Sequence, residues 1–536
     1  MSAKPIKAAE VLRDLPRDFN AADLFIRRHI REGNGHRIAV IDQSGRHSYE
    51  ELFHRVNRWS NALTGLGLRI EDRVALCLLD TIDFPTAFWG SIQAGVVPIP
   101  INTLLTTKDY EYMLRDSRAR VLVVSDSLYE KFEPILGNLP FLERVVISGE
   151  SALSGGKAIG HASFEALLSA APDQAQPAPT TSDDVAFWLY SSGSTGSPKG
   201  ALHLHRDLVS TAVLYGDGVL QLTAEDLCFS AAKLFFAYGL GNGMTFPFFA
   251  GASVLLHNGR PTPDAVMGLL AEHHPTVYFG VPTLYSSILA SPPEIANLTS
   301  NRLRLCVSAG EALPEEVGKR WKERYDVDIL DGLGSTEMLH IFLSNPRDDI
   351  RYGTSGKAVP GYALKIVDEE GADLPQGDLG ELAVNGPSAA IAYWNQRDKS
   401  VRTFRGPWTF TGDKYYQDAD GYYHYAGRAD DMLKVSGNWV SPTEVESALI
   451  SHPQVLEAAV VGAPDENDLI KPRAYVVLKD GSEGSDELRH ELQVFIKSRL
   501  APYKYPRWIV FLDSLPKTAT GKIQRFKLRD QGHETH

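Results

Sequence analysis

Small residues and hydroxyls are concentrated at one point of the chain, directly before a lysine. This segment, residues 191–199, follows an apolar stretch at 185–189. Small side chains leave the backbone N–H groups exposed as a nest for anions, and Lys199 adds a positive charge. The combination suits a polyphosphate, although it is not a Walker A motif, because no glycine precedes Lys199 and no Ser or Thr follows it. The alternative is a flexible surface turn. The candidate phosphate-binding residues are Ser191, Ser192, Gly193, Ser194, Thr195, Gly196 and Lys199.

A second cluster of small residues also follows an apolar run. Its sequence is Asp331-Gly332-Leu333-Gly334-Ser335-Thr336-Glu337. Small residues let the backbone approach a flat ligand, while Thr336 and Glu337 could hold phosphate and Mg²⁺. A simple N-capping turn is the alternative.

The third candidate is Lys522, which lies on a turn rich in Gly and Thr at 516–522. A lysine in this setting could reach into another domain, but it is more often solvated. The histidine pairs His203/His205 and His273/His274 could suggest a transition-metal site. No third ligand has a matching helical or hairpin spacing to them, so we do not expect one.

The elements that position these residues follow an α/β pattern. Short β-branched runs alternate with helical patterns up to about residue 360, which predicts helix-covered parallel sheets. Alternating strands with tight turns after about residue 361 predict a smaller β subdomain. A compact α+β unit then begins near residue 430. A length of 536 residues requires at least two domains.

Composition narrows the class of partner and the compartment. The formal net charge of -13 argues against nucleic acid or an anionic membrane surface, which would favour a basic field. Three scattered cysteines predict neither a disulfide framework nor a zinc site and fit a reducing compartment. The first 25 residues lack an apolar stretch of signal-peptide type, and no window approaches the roughly 20 apolar residues of a membrane span. We therefore expect a cytoplasmic protein.

Three further segments complete a set of six: residues 308–314 (Ser-Ala-Gly-Glu-Ala-Leu-Pro), 411–413 (Thr-Gly-Asp) and 427–431 (Gly-Arg-Ala-Asp-Asp). Together and in this order, the six resemble the motifs of the adenylate-forming superfamily, which comprises acyl- and aryl-CoA ligases, adenylation domains of peptide synthetases and luciferases. The resemblance covers nearly the whole chain. It implies an ATP-binding N-terminal domain at 1–429, a small mobile C-terminal domain at 430–536, and a hinge near Asp430.

The resemblance implies roles in a first half-reaction that activates a carboxylate with ATP. Attack on the α-phosphate brings two anions together, so the site must neutralise charge. Lys522 matches the lysine that bridges the carboxylate and the α-phosphate, Thr336 the α-phosphate contact, and Glu337 the Mg²⁺ ligand. The glycine-rich segment would cradle the departing β,γ-phosphates. The residues that match the nucleoside site are Asp413 for the ribose hydroxyls, Arg428 nearby, and Ala309, Gly310, Glu311, Asp331 and Gly332 for adenine.

The family performs its second half-reaction by rotating the small domain after pyrophosphate leaves. Rotation about Asp430 would bring Lys434, Ser436 and Gly437 toward the adenylate. Gly437 has no Cβ and suits a narrow channel for the pantetheine arm of coenzyme A. Many relatives carry Arg or a similar residue two positions later, where this chain has Trp439, so contacts with coenzyme A beyond Gly437 are not carried over.

The segment 233–239 is aromatic and lacks an Asp or Glu that could pair an α-ammonium group. Aromatic walls favour a flat, apolar ligand. The strings at 235–239 and 334–340 look like those of benzoate–coenzyme A ligases, so we expect benzoate or a small hydroxy-, amino- or halo-benzoate. His340 would contact the ring edge or a substituent; the alternative is a packed histidine. The expected lining residues are Phe236, Ala237, Tyr238, Gly239, Leu333, Gly334, His340 and Ile341.

Other functions are compatible with the resemblance to this superfamily. An adenylation enzyme that loads a separate carrier protein would keep every ATP motif and would need a docking face in place of a coenzyme A site. A luciferase-like oxygenase would consume oxygen, and a catalytically dead binding protein should have lost Lys522, Glu337 or Asp413, all of which are present. The ring substituent and the oligomeric state stay open, with a homodimer as one candidate.

Overall fold

The computed structural model describes residue 12 and residues 14–149, 160–191, 198–292, 302–428, 431–435, 438–466, 469–479, 482–517 and 523–531. Within these ranges the chain forms the expected α/β architecture, with layered sheets and helices in the larger part and an α+β unit at the end. The sheets of the larger part are mixed and not purely parallel as predicted, because hairpins and edge strands pair antiparallel there.

Three sheets are built from the first sixteen strands. Nine strands form one sheet in the order β16-β15-β14-β13-β12-β10-β11-β1-β2, five form a second in the order β4-β3-β5-β6-β7, and β8 pairs with β9. These strands are β1 (Ile38–Asp42), β2 (Gly45–Ser48), β3 (Arg73–Cys77), β4 (Val97–Pro100), β5 (Val121–Ser125), β6 (Arg144–Ser148), β7 (Gly160–Ser163), β8 (Val185–Ser191), β9 (Lys199–Leu204), β10 (Leu227–Ser230), β11 (Ser253–Leu255), β12 (Val277–Gly280), β13 (Leu305–Ala309), β14 (Ile329–Gly334), β15 (Ile341–Ser344) and β16 (Lys357–Ala358).

Helices cover these sheets and bury their apolar sides. The α-helices of this part are α1 (Arg28–Arg31), α2 (Tyr49–Gly65), α3 (Asp83–Gln93), α4 (Thr107–Ser117), α5 (Phe164–Ala170), α6 (His205–Thr211), α7 (Ala237–Leu240), α8 (Phe246–Ala250), α9 (Pro263–His273), α10 (Pro282–Ala290), α11 (Glu315–Tyr325) and α12 (Arg397–Thr403). Shorter helical turns of π or 3₁₀ type span Asp23–Arg27, Asp126–Lys131, Glu133–Asn138, Ala212–Asp217 and Gly241–Thr245.

The sequence explains why these elements form where they do. All five residues of β5 are buried, as expected of a strand covered on both faces in a parallel sheet. Helix α2 begins where the Ser48 side chain accepts a hydrogen bond from Glu51 N, and α4 begins with a capping box between Thr106 and Asp109.

The predicted β subdomain is confirmed as a five-stranded antiparallel sheet. Its order is β17-β18-β20-β19, with β21 pairing with β20. The strands are β17 (Ala363–Val367), β18 (Gly380–Asn385), β19 (Phe404–Arg405), β20 (Trp408–Gln417) and β21 (Tyr423–Arg428).

The C-terminal α+β unit has its own apolar core, in which Val445, Leu492 and Ile509 are almost fully buried. A separate core is what an independently moving unit requires. Its elements are β22 (Leu433–Val435), β23 (Asn438–Val440), α13 (Pro442–Ile450), β24 (Val455–Pro464), β25 (Ile470–Leu478), α14 (Asp486–Lys497), a 3₁₀ turn (Pro502–Lys504), β26 (Trp508–Phe511) and α15 (Arg525–Gln531).

None of the helices in the described ranges is long and apolar enough to cross a membrane.

Candidate active site

Most predicted site residues lie where four neighbouring strands end. Strands β10, β12, β13 and β14 run parallel, so their carboxyl ends meet at one edge of the nine-stranded sheet. Ligands of open α/β sheets bind in the crevice outside such an edge. The segment after β10 leads through Phe236 into α7, and the turn between β14 and β15 carries Thr336 and Glu337.

Glu337 is the centre of a polar cluster. Its Oε1 atom accepts hydrogen bonds from the hydroxyls of Ser191 at 3.2 Å and Tyr393 at 2.6 Å. The Lys199 ammonium lies 4.0 Å from the same oxygen and 3.2 Å from the Tyr393 hydroxyl. The structure thus brings the lysine of the glycine-rich segment together with the predicted metal ligand.

A buried histidine fixes the backbone of the neighbouring residue. His203 Nε2 lies 2.8 Å from the Thr336 carbonyl oxygen, and Nδ1 lies 3.1 Å from the Asp207 carboxylate. The Thr336 carbonyl and the Asp207 carboxylate are both acceptors. Nε2 therefore donates to Thr336, and one proton lies between Nδ1 and the Asp207 carboxylate. Burial raises the pKa of Asp207. In the sequence His203 could suggest a metal ligand. In the structure it positions the turn that carries Thr336.

The predicted adenine residues are neighbours across two strands. Ala309 pairs with Gly332, and Ser308 pairs with Asp331, in the parallel register of β13 and β14. The Asp331 carboxylate is 4% exposed and accepts a hydrogen bond from Leu313 N at 3.3 Å. Burial raises its pKa to about 8. The five predicted residues thus lie close to one another at the strand ends.

The predicted ribose residues lie on the β subdomain. Asp413 and Arg428 are cross-strand partners on β20 and β21. Arg428 Nη1 donates to Asp413 Oδ1 at 3.3 Å and to the Thr411 carbonyl oxygen at 2.9 Å. The guanidinium therefore fixes the orientation of the carboxylate.

The expected acid-binding residues share one wall. Phe236, Ala237, Tyr238, Leu333 and Gly334 are partly exposed, whereas Gly239, His340 and Ile341 are buried. The Tyr238 hydroxyl lies 3.1 Å from the carbonyl oxygens of both Gly280 and Val307, which holds its ring against the sheet. The residues that meet in a tight crevice there are Leu208, Thr211, Ala237, Leu240, Gly241, Thr245, Leu339 and His340.

His340 is packed and uncharged. Its Nε2 atom lies 3.1 Å from Asn242 Oδ1 and 3.3 Å from the Tyr238 carbonyl oxygen. Both are acceptors, so Nε2 carries the hydrogen. Burial lowers the pKa of His340 to about 3. Leu339, in the left-handed region at φ 65°, turns the chain sharply just before it.

The segment that carries Lys522 is anchored by residues on either side of it. Lys517 and Ile523 form an isolated antiparallel bridge, and the Lys517 ammonium pairs with Glu457 at 2.6 Å. The Ile523 N–H donates to Glu311 Oε1 at 3.1 Å, which joins the C-terminal unit to the loop after β13. The carboxylate of Glu311, expected at the adenine slot, thus contacts the residue that follows Lys522.

Some predicted residues lie outside the described ranges: Ser192, Gly193, Ser194, Thr195, Gly196, Asp430, Ser436, Gly437 and Lys522. Lys434, predicted to contact coenzyme A, is described and is exposed on β22.

Sequence reasoning missed Tyr393 as a site residue. It follows Glu337 by 56 positions and belongs to no glycine-rich motif. Its only sequence signal is an aromatic pair, Tyr393-Trp394, between helical and strand patterns.

The part of the chain that the structure describes contains no group of three His, Cys, Asp or Glu side chains arranged to hold a metal.

Comparisons with known proteins identify similar chains. The family model for AMP-binding enzymes matches residues 27–394, and the model for the AMP-binding enzyme C-terminal domain matches residues 444–522. A benzoate–CoA ligase of Thauera aromatica is 57% identical over 519 residues, covering 96% of both chains. A 4-hydroxybenzoate–CoA/benzoate–CoA ligase of Rhodopseudomonas palustris is 48% identical, covering 96% of this chain and 94% of that protein.

Solved structures show the same likeness. The crystal structure of an anthranilate CoA ligase in complex with anthranoyl-AMP superimposes with a TM-score of 0.93 at 44% identity, covering 98% of this chain and 99% of that one. A benzoate CoA ligase from Burkholderia xenovorans gives a TM-score of 0.88 at 49% identity, covering 95% of this chain and 100% of that one.

Proposed function

The chain belongs to the family of AMP-binding enzymes, and on that basis we propose that it joins benzoate or a small substituted benzoate to coenzyme A at the expense of ATP. In the first step a carboxylate oxygen attacks the α-phosphorus of ATP, which forms the aryl adenylate and releases pyrophosphate. In the second step the thiol of coenzyme A attacks the acyl carbon, and AMP leaves.

The observation that carries the choice of acid is an uncharged aromatic wall next to the Glu337 cluster. Tyr238 and partly exposed Phe236 supply aromatic surface. The one titratable imidazole on this wall, His340, is neutral because burial lowers its pKa. A flat, apolar ring is the ligand that such a wall favours.

The residues around the phosphate site supply the charge that the first step needs. We assign Lys199 to the β,γ-phosphates, and we assign Lys522 to the carboxylate and the α-phosphate. The Glu337 carboxylate is an oxygen ligand of the kind that Mg²⁺ takes together with substrate phosphates, so it fits this ion, and we assign Thr336 to the α-phosphate. When bound, Mg²⁺ would neutralise part of the phosphate charge.

We assign the nucleoside to Ala309, Gly310, Asp331 and Gly332 for adenine and to Asp413, oriented by Arg428, for the ribose hydroxyls. The contact between Ile523 and Glu311 supports an orientation in which Lys522 faces this site. Rotation of residues 430–536 about Asp430 would then exchange Lys522 for the second set, Lys434, Ser436 and Gly437. We assign the reaction to the cytoplasm, where ATP and coenzyme A are supplied.

ATP–pyrophosphate exchange with a panel of benzoates, fatty acids and amino acids tests the first step, and thioester formation with coenzyme A tests the second. Strong exchange and thioester product with benzoates is the expected result. Exchange without a coenzyme A product would indicate an enzyme that loads a carrier protein. Absence of exchange with every aryl acid would refute the assignment of the pocket.

A further inference from the structure

Tyr393 joins two charged residues of the phosphate site. Its hydroxyl donates to Glu337 Oε1 at 2.6 Å and accepts from the Lys199 ammonium at 3.2 Å. The ammonium also lies 4.4 Å from the centre of the Tyr393 ring, within the range of a cation–π contact. One buried side chain therefore contacts both the candidate phosphate lysine and the candidate metal ligand.

The direction of these hydrogen bonds is fixed by chemistry. An ammonium group can only donate and a carboxylate can only accept, so the single hydroxyl hydrogen of Tyr393 points to Glu337. A tyrosine hydroxyl is protonated at neutral pH, so it keeps this hydrogen. The hydrogen bonds from Lys199 to Tyr393 and from Tyr393 to Glu337 can therefore run in only this direction.

Backbone contacts hold Tyr393 on the strand that Lys199 begins. Tyr393 forms an antiparallel bridge with Ala201 of β9, and Trp394 N donates to the Gly200 carbonyl oxygen at 2.8 Å. The side chain of Tyr393 is 4% exposed. Its hydroxyl is consequently placed by β9 and moves with Lys199.

We propose that Tyr393 is a positioning residue that holds Glu337 and releases Lys199 when Mg²⁺–ATP binds, a role that rests on the proposed function. Before binding, Lys199 is held on the hydroxyl and ring of Tyr393, and its charge balances that of Glu337. On binding, Lys199 turns to the phosphates and Mg²⁺ becomes the counter-charge of Glu337. Tyr393 keeps Oε1 in place throughout, which would hold the carboxylate ready for the ion.

The variant that isolates this role is Tyr393→Phe, which retains the ring and removes only the hydroxyl. Without the hydroxyl the Glu337 carboxylate is no longer held before the ion arrives, and ordering it on binding lowers affinity, so we expect roughly threefold to tenfold weaker binding of Mg²⁺–ATP, measured by calorimetry without any acid. The Mg²⁺ concentration for half-maximal pyrophosphate exchange should rise by a similar factor. The KM for benzoate and the rate of thioester formation from supplied benzoyl adenylate should change less than about twofold.

Tyr129→Phe is the matched control. The Tyr129 hydroxyl contacts His161 Nε2 at 2.9 Å next to β7, far from Glu337 in the sequence. This variant loses the same atom and should bind Mg²⁺–ATP like the wild type.

Unchanged Mg²⁺–ATP binding in Tyr393→Phe, or an equal loss in exchange and in thioester formation, would overturn the proposal and leave Tyr393 a packing residue. The binding measurement needs no acid. A wild type that binds Mg²⁺–ATP but fails to exchange with aryl acids would therefore refute the substrate assignment and not the role of Tyr393.

Discussion

Single side chains in the site differ in how the protein sets their charge. His340 is kept neutral by burial, and Asp331 is pushed toward its protonated form, with a pKa raised to about 8 for the same reason. Lys199 stays beside a carboxylate, although burial lowers its pKa. Positive charge is therefore available on the phosphate side, while the acid-binding wall stays neutral.

Removing the charge of Lys522 should separate the two half-reactions. We expect Lys522→Ala to lower pyrophosphate exchange by at least about 100-fold, because the charge that meets the developing anion is lost. Thioester formation from supplied benzoyl adenylate should be largely retained. Lys527→Ala, at an exposed position of α15, removes the same charge and should leave both rates unchanged. Equal loss of both half-reactions in Lys522→Ala would contradict the two-orientation account.

Elements were more predictable than contacts between them. The β subdomain predicted after about residue 361 begins at β17, because apolar runs bounded by turn residues mark its strands. The Lys199–Tyr393 contact could not be predicted, since it joins residues 194 positions apart through a single bridge. The π-helical turn Gly241–Thr245 behind His340 also leaves no periodic signal in so short a segment.

The start of α7 tolerates only glycine at position 239. An added Cβ would overlap the carbonyl oxygen of Lys233 and lie 2.6 Å from that of Ala232, and backbone atoms cannot easily yield. Gly239→Ala should therefore displace the segment before α7 and raise the KM for benzoate at least about tenfold, at a cost of about 1–3 kcal/mol in stability. Mg²⁺–ATP binding should change less than about twofold.

Gly268→Ala provides the control for this prediction. Gly268 lies inside α9, and its added Cβ would meet no atom within 4 Å. This variant should keep the benzoate KM and gain about 0.4–1 kcal/mol. Similar effects of the two substitutions would show that the close approach at Gly239 does not matter.

The contact between the loop after β13 and the C-terminal unit should favour adenylation. Glu311→Ala removes the acceptor of Ile523 N–H. Loss of a hydrogen bond to a charged group predicts about tenfold slower pyrophosphate exchange with little change in thioester formation from benzoyl adenylate. Glu315→Ala, which removes an exposed carboxylate on α11, should have no effect on either. A fall in thioester formation alone would reverse the assigned orientation.

At the scale of the whole molecule, buried ionisable groups make stability depend on pH in opposing directions. Burial lowers the pKa of His29 and of His205 to about 4, so these residues destabilise the fold as pH falls below 6.5. Burial raises the pKa of Asp80 to about 6, so this residue, like Asp331, acts in the opposite sense. The net pH profile therefore hides individual contributions.

Replacing one histidine exposes its contribution. His29→Gln keeps a donor toward the Phe248 carbonyl oxygen, which lies 2.7 Å from His29 Nε2, and removes the titration. Between pH 7 and pH 5 the stability of the variant relative to the wild type should rise by about 2 kcal/mol, because only the wild type must forgo a proton on folding. Urea unfolding followed by tryptophan fluorescence at both pH values measures it; a constant difference would contradict the prediction.

The three thiols of the protein are all enclosed. Cys77, Cys228 and Cys306 are buried, and burial raises the pKa of Cys77 to about 12 and the pKa of the other two thiols as well. Since only a thiolate exchanges with a disulfide, the folded protein cannot form mixed disulfides with an oxidised thiol substrate. Native protein should react with no equivalent of a thiol reagent and unfolded protein with three, and the enzyme should keep its activity through storage in air without a reducing agent.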